Sequence, residues 1–251
     1  MVQLRECEKH GPFRGDVCPI CGEEGKFLLN DWELTAISRM LAGILRHFPE
    51  RFHVQLDDRG WADIYQIVKG IKRKHPRFRW LKTKHIIAIV LTDDKGRYQL
   101  DVEHNRVRAT YGHSIKVDLS DLPTEGIPEK LYYPTTEEEL EYIKEIGLQP
   151  GDRKWVHLSK TYEDAYIAGL HRVEEPIILE IDTQKAIEGG YQIYRAAKTV
   201  FIAAQIPPEF ISVAEKREIE IPEEELEKIE EEKRRRERKL QREMEKREKK
   251  I

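Results

Sequence analysis

Asparagine is almost missing from this chain: Asn30 and Asn105 are the only two in 251 residues, whereas charged residues make up 36%. Few thermolabile amides beside many ionised side chains is the profile expected of a hot-growing source. Also missing is any apolar run near the ~20 residues of a membrane span, and the start, MVQLRECEKH, has no apolar core of the secretory kind. A cytoplasmic protein with no membrane partner is therefore expected. Neither sign of charge dominates, because the formal net charge is only -3. Attraction to a polyanion must then come from a local cluster and not from the field of the whole molecule. No GxGxxG turn or GxxxxGK[ST] loop occurs, which argues against a Rossmann cofactor site and a P-loop NTPase.

Cysteine is scarce too, and all three fall within CEKHGPFRGDVCPICG, as Cys7, Cys18 and Cys21, with His10 three places after the first. An odd number in a reducing compartment does not suit a disulfide framework. Three thiolates and one imidazole at short spacing suit a tetrahedral structural Zn²⁺, with no open position for water. The expectation is a zinc knuckle over residues 1–29, stabilised by its metal because so short a segment cannot build its own core.

The stretch after it reads as helices. Asn30 with Glu33 makes a capping box, and Leu34, Ile37, Leu41, Ile44 and Leu45 recur at helical spacing up to Arg46-His47 and Pro49. Arginine and histidine at a helix carboxyl end are ordinary, since cations suit the unpaired carbonyls there. A second helix carries Ile64, Ile67, Val68 and Ile71, and a third starts near Thr83. The period then changes to two: Tyr98, Leu100 and Val102 alternate with Arg97, Gln99 and Asp101, a turn at His104-Asn105 follows, and Val107 and Ala109 alternate with Arg106 and Arg108. Three helices and a β-ribbon spell a winged helix over 30–122, with Arg97 on the polar side of its strand. Its run KGIKRKHPRFRWLKTKH interleaves Phe78 and Trp80 with cations, either a solvated face or a track for a sugar-phosphate backbone.

Residues 123–214 read as a strand-rich α+β unit. Thr136 with Glu139 resembles a capping box, Gly147 closes that helix, and in KWVHLS the residues His157 and Ser159 share one strand face. From 215 to 251 the chain is mostly Glu, Lys and Arg. Glu230 to Arg234, Glu231 to Arg235 and Glu243 to Arg247 stand four apart in the favourable order, so a solvated single helix is expected.

Several segments occur together in order: LRHFPE, DDRGWADI, KGRYQL, VRATYGHSIKV, GDRKWVHLS and EPIILEID. Over about Asp31 to Val213 the chain resembles the NAD-dependent RNA 2′-phosphotransferases, the family associated with removing the splice-junction 2′-phosphate from tRNA. The resemblance implies an α+β architecture in which a winged-helix lobe holds RNA phosphate and an ADP-ribosyltransferase-like lobe holds NAD. It implies a catalytic set of Arg46, His47, Arg97 and Arg153, and NAD contacts from Tyr133, Thr135, His157, Ser159 and Lys198. The partners would be RNA with an internal 2′-phosphate and NAD, acted on by a monomer. Departures fall on the NAD side. The family's LYHGT is Leu131-Tyr132-Tyr133-Pro134-Thr135 here, its QGHS is YGHS from Tyr111, its Arg-His is inverted as His171-Arg172, and its Ser-x-Asn is Ala196 and Lys198. Two further readings follow from these: an RNA-phosphate-binding protein with a degenerate NAD site, and an ADP-ribosyltransferase acting on nucleic-acid ends.

Overall fold

The computed structural model describes residues 2–248, apart from the side chains of residues 235, 236, 239, 240 and 242–248. The chain divides into two compact units. The first comprises Met1–Gly126, Pro150–His157 and Tyr194–Ala204, and the second comprises Ile127–Gln149, Leu158–Ile193 and Gln205–Ile251.

The first unit begins with a three-stranded antiparallel sheet, β1 (Leu4–Cys7), β2 (Gly11–Arg14) and β3 (Lys26–Leu29), in the order β2-β1-β3. Helix α1 (Asp31–Arg46) starts at the expected box: the Asn30 side chain accepts from the Glu33 amide at 2.9 Å, and the Glu33 carboxylate accepts from the Asn30 amide at 3.0 Å. After the two-residue strand β4 (Ala62–Asp63) come α2 (Ile64–Lys74), capped by Asp63, and α3 (Thr83–Leu91). Strands β5 (Tyr98–Asp101) and β6 (Arg106–Ala109) form the expected ribbon, turned at Asn105 with a left-handed φ of 50°, and β4 extends it to three strands in the order β4-β6-β5.

The stripes of α1, α2 and α3 meet in one core with Val107 and Ala109 of β6. Each fully buried Leu or Ile there contributes about 1.5–3 kcal/mol, so these helices are held by packing more than by propensity. Leu4, Leu28 and Leu29 belong to that core as well. The amino-terminal sheet is thus fused to the helices and has no separate apolar centre of its own beyond Cys7, Phe13 and Cys18.

One side chain departs from strand parity. Arg108, expected on the polar face, is buried: it donates to Gln99 Oε1 at 2.8 Å and to Asp121 Oδ1 at 3.0 Å, and its second terminal nitrogen is 3.0 Å from Asp121 Oδ2. A carboxylate fork and an amide oxygen replace the water it gives up.

The second unit opens with β7 (Lys130–Thr135) and α4 (Glu137–Ile146). Thr136 accepts from the Glu139 amide at 3.2 Å, but the return arm of the expected capping box is absent, because the Glu139 carboxylate bonds Arg172 and Thr135 instead. Gly147 ends α4 at φ 76°, where a side chain would collide with the Ile206 carbonyl. Strand β8 (Val156–Ser159) passes from the first unit to the second at Leu158. Helix α5 (Tyr162–Leu170) is capped by Thr161, and Tyr162 and Ala165 pack on Tyr132 and Ile178. Strand β9 (Ile177–Asp182) pairs antiparallel with β7 and is followed by the short α6 (Thr183–Glu188). Strands β10 (Ile193–Arg195) and β11 (Val200–Ala203) return to the first unit, whose second apolar cluster joins Val117, Leu119, Leu122, Ala196 and Ile202. Strand β12 (Ile211–Val213) lies on β9.

Helix α7 (Glu223–Glu248) confirms a long charged helix, with Glu230 and Arg234 3.1 Å apart. It is not wholly solvated, since Ile229 is buried and Glu232 lies 3.0 Å from His171 Nδ1. The Glu231–Arg235 and Glu243–Arg247 pairs lie outside the described residues. Among the described residues no helix is long and apolar enough to cross a membrane.

Candidate active site

Helix α1 ends at Arg46 with His47 as its cap residue, so both side chains leave the helix where its backbone stops bonding to itself. The segment Tyr111–Ser114 runs beside that end and collects the neighbouring groups. The Ser114 amide donates to the Arg46 carbonyl at 3.0 Å, and Ser114 Oγ lies 2.9 Å from His47 Nδ1. Arg153 donates to the Gly112 carbonyl, and the Gly112 amide donates to His157 Nε2 at 3.0 Å. The Arg46 guanidinium lies 4.7 Å over the Tyr111 ring. Gly112 has φ 84°, and a Cβ there would sit 3.4 Å from three atoms of that guanidinium, so glycine suits both the turn and the approach.

Arg46, His47, Arg153 and His157 are thus brought together within the first unit. Arg97 joins them through Tyr98, whose ring has Arg97 Cζ at 5.6 Å and Arg46 Cζ at 6.0 Å. Arg97 is not free, however. Asp93 accepts from its backbone amide at 2.6 Å and from Nε at 2.9 Å, and its terminal nitrogen is 2.5 Å from the same carboxylate. Strand parity missed this because Arg97 precedes β5, where the backbone is held by a turn.

The electrostatics of the cluster are positive. Among the described residues neither Arg46 nor Arg153 forms an ion pair, and Arg46 Nε and Nη2 are buried without a hydrogen-bond partner. Burial, then Arg153 and Arg46, hold His47 below the usual histidine range. Burial, then Arg153 and Arg46, bring His157 down to about 4. Burial, then Arg46, His157, His47 and Arg153, bring His113 down to about 3, and both its ring nitrogens lack partners. Burial and Arg46 lower even Arg153. For Arg97 burial opposes the charge, but the Asp93 hydrogen bonds outweigh it and raise the pKa. Two guanidiniums with unspent donors and no carboxylate paired to them can accept an anion with several oxygens.

The remaining expected contacts lie elsewhere. Lys198 is exposed in the first unit, its Cγ beside Gly96. In the second unit Tyr133 is half-buried, which raises its phenol pKa, and Arg172 bonds Glu139. Thr135 is buried and its hydroxyl is 3.3 Å from Glu139 Oε2. Ser159 sits opposite Tyr132 in the β7–β8 pair. Asp93 carries no sequence signal of its own, and Tyr98 and the Tyr111–Ser114 segment, visible in the sequence as a strand position and a family motif, meet the Arg46 end of the helix only through backbone geometry and contacts that span many residues.

A separate centre gathers Cys7, His10, Cys18 and Cys21, whose ligand atoms all lie within 4.8 Å of one another. The Cys7 and Cys18 sulfurs are each 3.5 Å from His10 Nδ1, and Cys7 and Cys21 sulfurs are 3.6 Å apart. Edges of that length fit a tetrahedron with Zn–S near 2.3 Å and Zn–N near 2.0 Å.

A family model described as RNA 2′-phosphotransferase, Tpt1 / KptA family, matches residues 33–205. The chain is 47% identical over 225 residues to a probable RNA 2′-phosphotransferase of Thermoplasma acidophilum, covering 90% of this chain and 94% of the relative. It is 39% identical over 211 residues to probable RNA 2′-phosphotransferase 1 of Archaeoglobus fulgidus, covering 84% and 94%. A probable RNA 2′-phosphotransferase of Methanosarcina barkeri is 38% identical over 216 residues, covering 84% and 99%.

Proposed function

The chain belongs to the RNA 2′-phosphotransferase, Tpt1 / KptA family, and on that premise we propose that it removes an internal 2′-phosphate from RNA by transferring it to NAD. NAD is consumed as a substrate. The observation that carries this reading is the Arg46 guanidinium, with two buried nitrogens unpartnered beside His47 and Arg153.

The phosphate oxygens take up the free donors of Arg46 and Arg153, while Arg97, its charge offset by Asp93, is held on the far side of Tyr98. In the neutral tautomer that carries its proton on Nε2, His47 Nδ1 accepts from the Ser114 hydroxyl and Nε2–H bonds a phosphate oxygen. The 2′-phosphate attacks the anomeric carbon of the nicotinamide riboside and nicotinamide departs. The ribose 2″-hydroxyl then attacks the phosphorus, releasing RNA with a 2′-hydroxyl and ADP-ribose 1″,2″-cyclic phosphate. Negative charge collects on one phosphorus in both steps, and guanidiniums contact two oxygens at once without titrating. Arg153 serves the second step, so Arg153→Ala accumulates ADP-ribosylated RNA.

Tyr133, Thr135, His157, Ser159 and Lys198 are assigned to NAD. A tyrosine hydroxyl can bond a ribose where the family has histidine, and a lysine can face a pyrophosphate. Cys7, His10, Cys18 and Cys21 hold a structural Zn²⁺.

The test is incubation of 2′-phosphorylated RNA with NAD. Loss of the phosphate with equimolar nicotinamide and the cyclic product supports the proposal. Intact substrate at saturating NAD, with calorimetry showing RNA binding but none of NAD, would leave an RNA-phosphate-binding protein in its place.

A further inference from the structure

Charge in this chain is segregated. Residues 64–92 hold eight Lys and Arg and no Asp or Glu. The chain's net charge is -3, so the remainder carries -11. Among the described residues none of the eight forms an ion pair with a carboxylate; Arg73 and Lys74 instead cap the carbonyls of Phe52 and Arg51 at 3.0 and 3.4 Å.

On α2 the residues Tyr65, Lys69, Lys72 and Arg73 stand at positions i, i+4, i+7 and i+8, on one face opposite the buried Ile64, Ile67 and Ile71. That face and the turn beyond it, with Pro76 and Arg79, enclose a pocket of about 400 Å³. Lysines and arginines three and four apart on a helix repel one another, and among the described residues no carboxylate pairs with them. Tyr65 is 63% exposed at the pocket wall. Arg77, between the pocket residues Pro76 and Arg79 in sequence, lies 4.8 Å over Trp32 and 5.1 Å over Phe78, and Trp32 is 54% exposed. Unrelieved cations around an uncovered ring match the alternation of phosphate and base along an unpaired nucleic-acid strand.

Resting on the RNA-substrate reading above, we infer that this pocket is a second RNA subsite, separate from the arginine cluster, which stacks one unpaired base on Tyr65 and binds the adjoining phosphates through Lys69, Lys72 and Arg79. It engages the strand beyond the nucleotide bearing the 2′-phosphate and so sets the preference for longer RNA. The cavity is large enough for one nucleotide.

Two 2′-phosphorylated substrates test it, a trinucleotide and a single strand of about twelve nucleotides, together with the 2′-hydroxyl form of the longer one for direct binding. Lys69→Gln with Lys72→Gln raises KM for the longer substrate about tenfold, leaves both constants for the trinucleotide unchanged, and makes the salt slope of binding shallower by about 1.4. Tyr65→Ala weakens the longer strand by a similar factor, and Tyr65→Phe restores it. Equal losses on both substrates, no loss on the longer one, or competition by duplex RNA as effective as by the single strand would overturn the inference. Binding of the 2′-hydroxyl strand needs no turnover, so its response to the variants is informative even if the transfer reaction is absent.

Discussion

Ser114 Oγ stands 2.9 Å from His47 Nδ1, across 67 residues of sequence, and fixes the imidazole at the end of α1. A serine at this point orients the ring without contributing charge. Ser114→Ala removes one exposed hydrogen bond, so kcat/KM for 2′-phosphorylated RNA is expected to fall about five- to tenfold while the melting temperature stays put. A rotated imidazole should also titrate differently, which histidine NMR would detect.

Arg46 trades stability for binding. Its buried nitrogens lack partners, and replacing such a group by an apolar side chain of like volume is neutral or stabilising. Arg46→Met should raise unfolding free energy by about 1 kcal/mol and abolish turnover. Inorganic phosphate should raise the melting temperature of the wild-type protein and not that of the variant. A destabilised Arg46→Met protein would show that the arginine is structural.

Much of this was legible because it is local. The box at Asn30 and Glu33, the stripe from Leu34 to Leu45, and the turn at Asn105 each depend on a few consecutive residues. What was not legible depends on long-range approach: Arg153 meets Gly112 across 41 residues and Arg108 meets Asp121 across 13. Arg97 was misjudged for a different reason. A two-residue alternation places it on a solvent face, yet the turn at Gly96, with φ 64°, folds it back to Asp93. The return arm of the Thr136 box failed likewise, since Glu139 found a stronger partner in Arg172, 33 residues away.

His113 and His157 make folding sensitive to acid. Burial first, then the surrounding arginines, depress them to about 3 and about 4, below the 6.5 of an unfolded histidine. Between those values the unfolded chain binds protons that the folded one refuses, so stability is fully present above pH 6.5 and is lost as pH falls. From pH 7 to pH 4.5 the two histidines together should remove on the order of 5 kcal/mol. Urea unfolding at both pH values measures the loss, and His113→Gln should roughly halve it; an unchanged slope would mean that His113 is solvated.

Removing the metal should affect more than the knuckle. Cys7 ends β1 and His10, Cys18 and Cys21 follow it before β3, and Leu4, Leu28 and Leu29 of those strands lie in the same core as Leu41, Ile67 and Ile89. Without a cation the Cys7, Cys18 and Cys21 thiols have only one another and His10, and the short strands lose the cross-link that registers them. Elemental analysis should find one zinc per chain, absent in a Cys7→Ser, Cys18→Ser protein. That protein should melt at lower temperature through the whole first unit, seen as early loss of near-ultraviolet signal from Trp32 and Trp80. A tetrahedral ion held by these four side chains has no open position, so turnover at a temperature where the variant is still folded should be unchanged. Loss of turnover in the folded variant would instead assign the metal a part in the reaction.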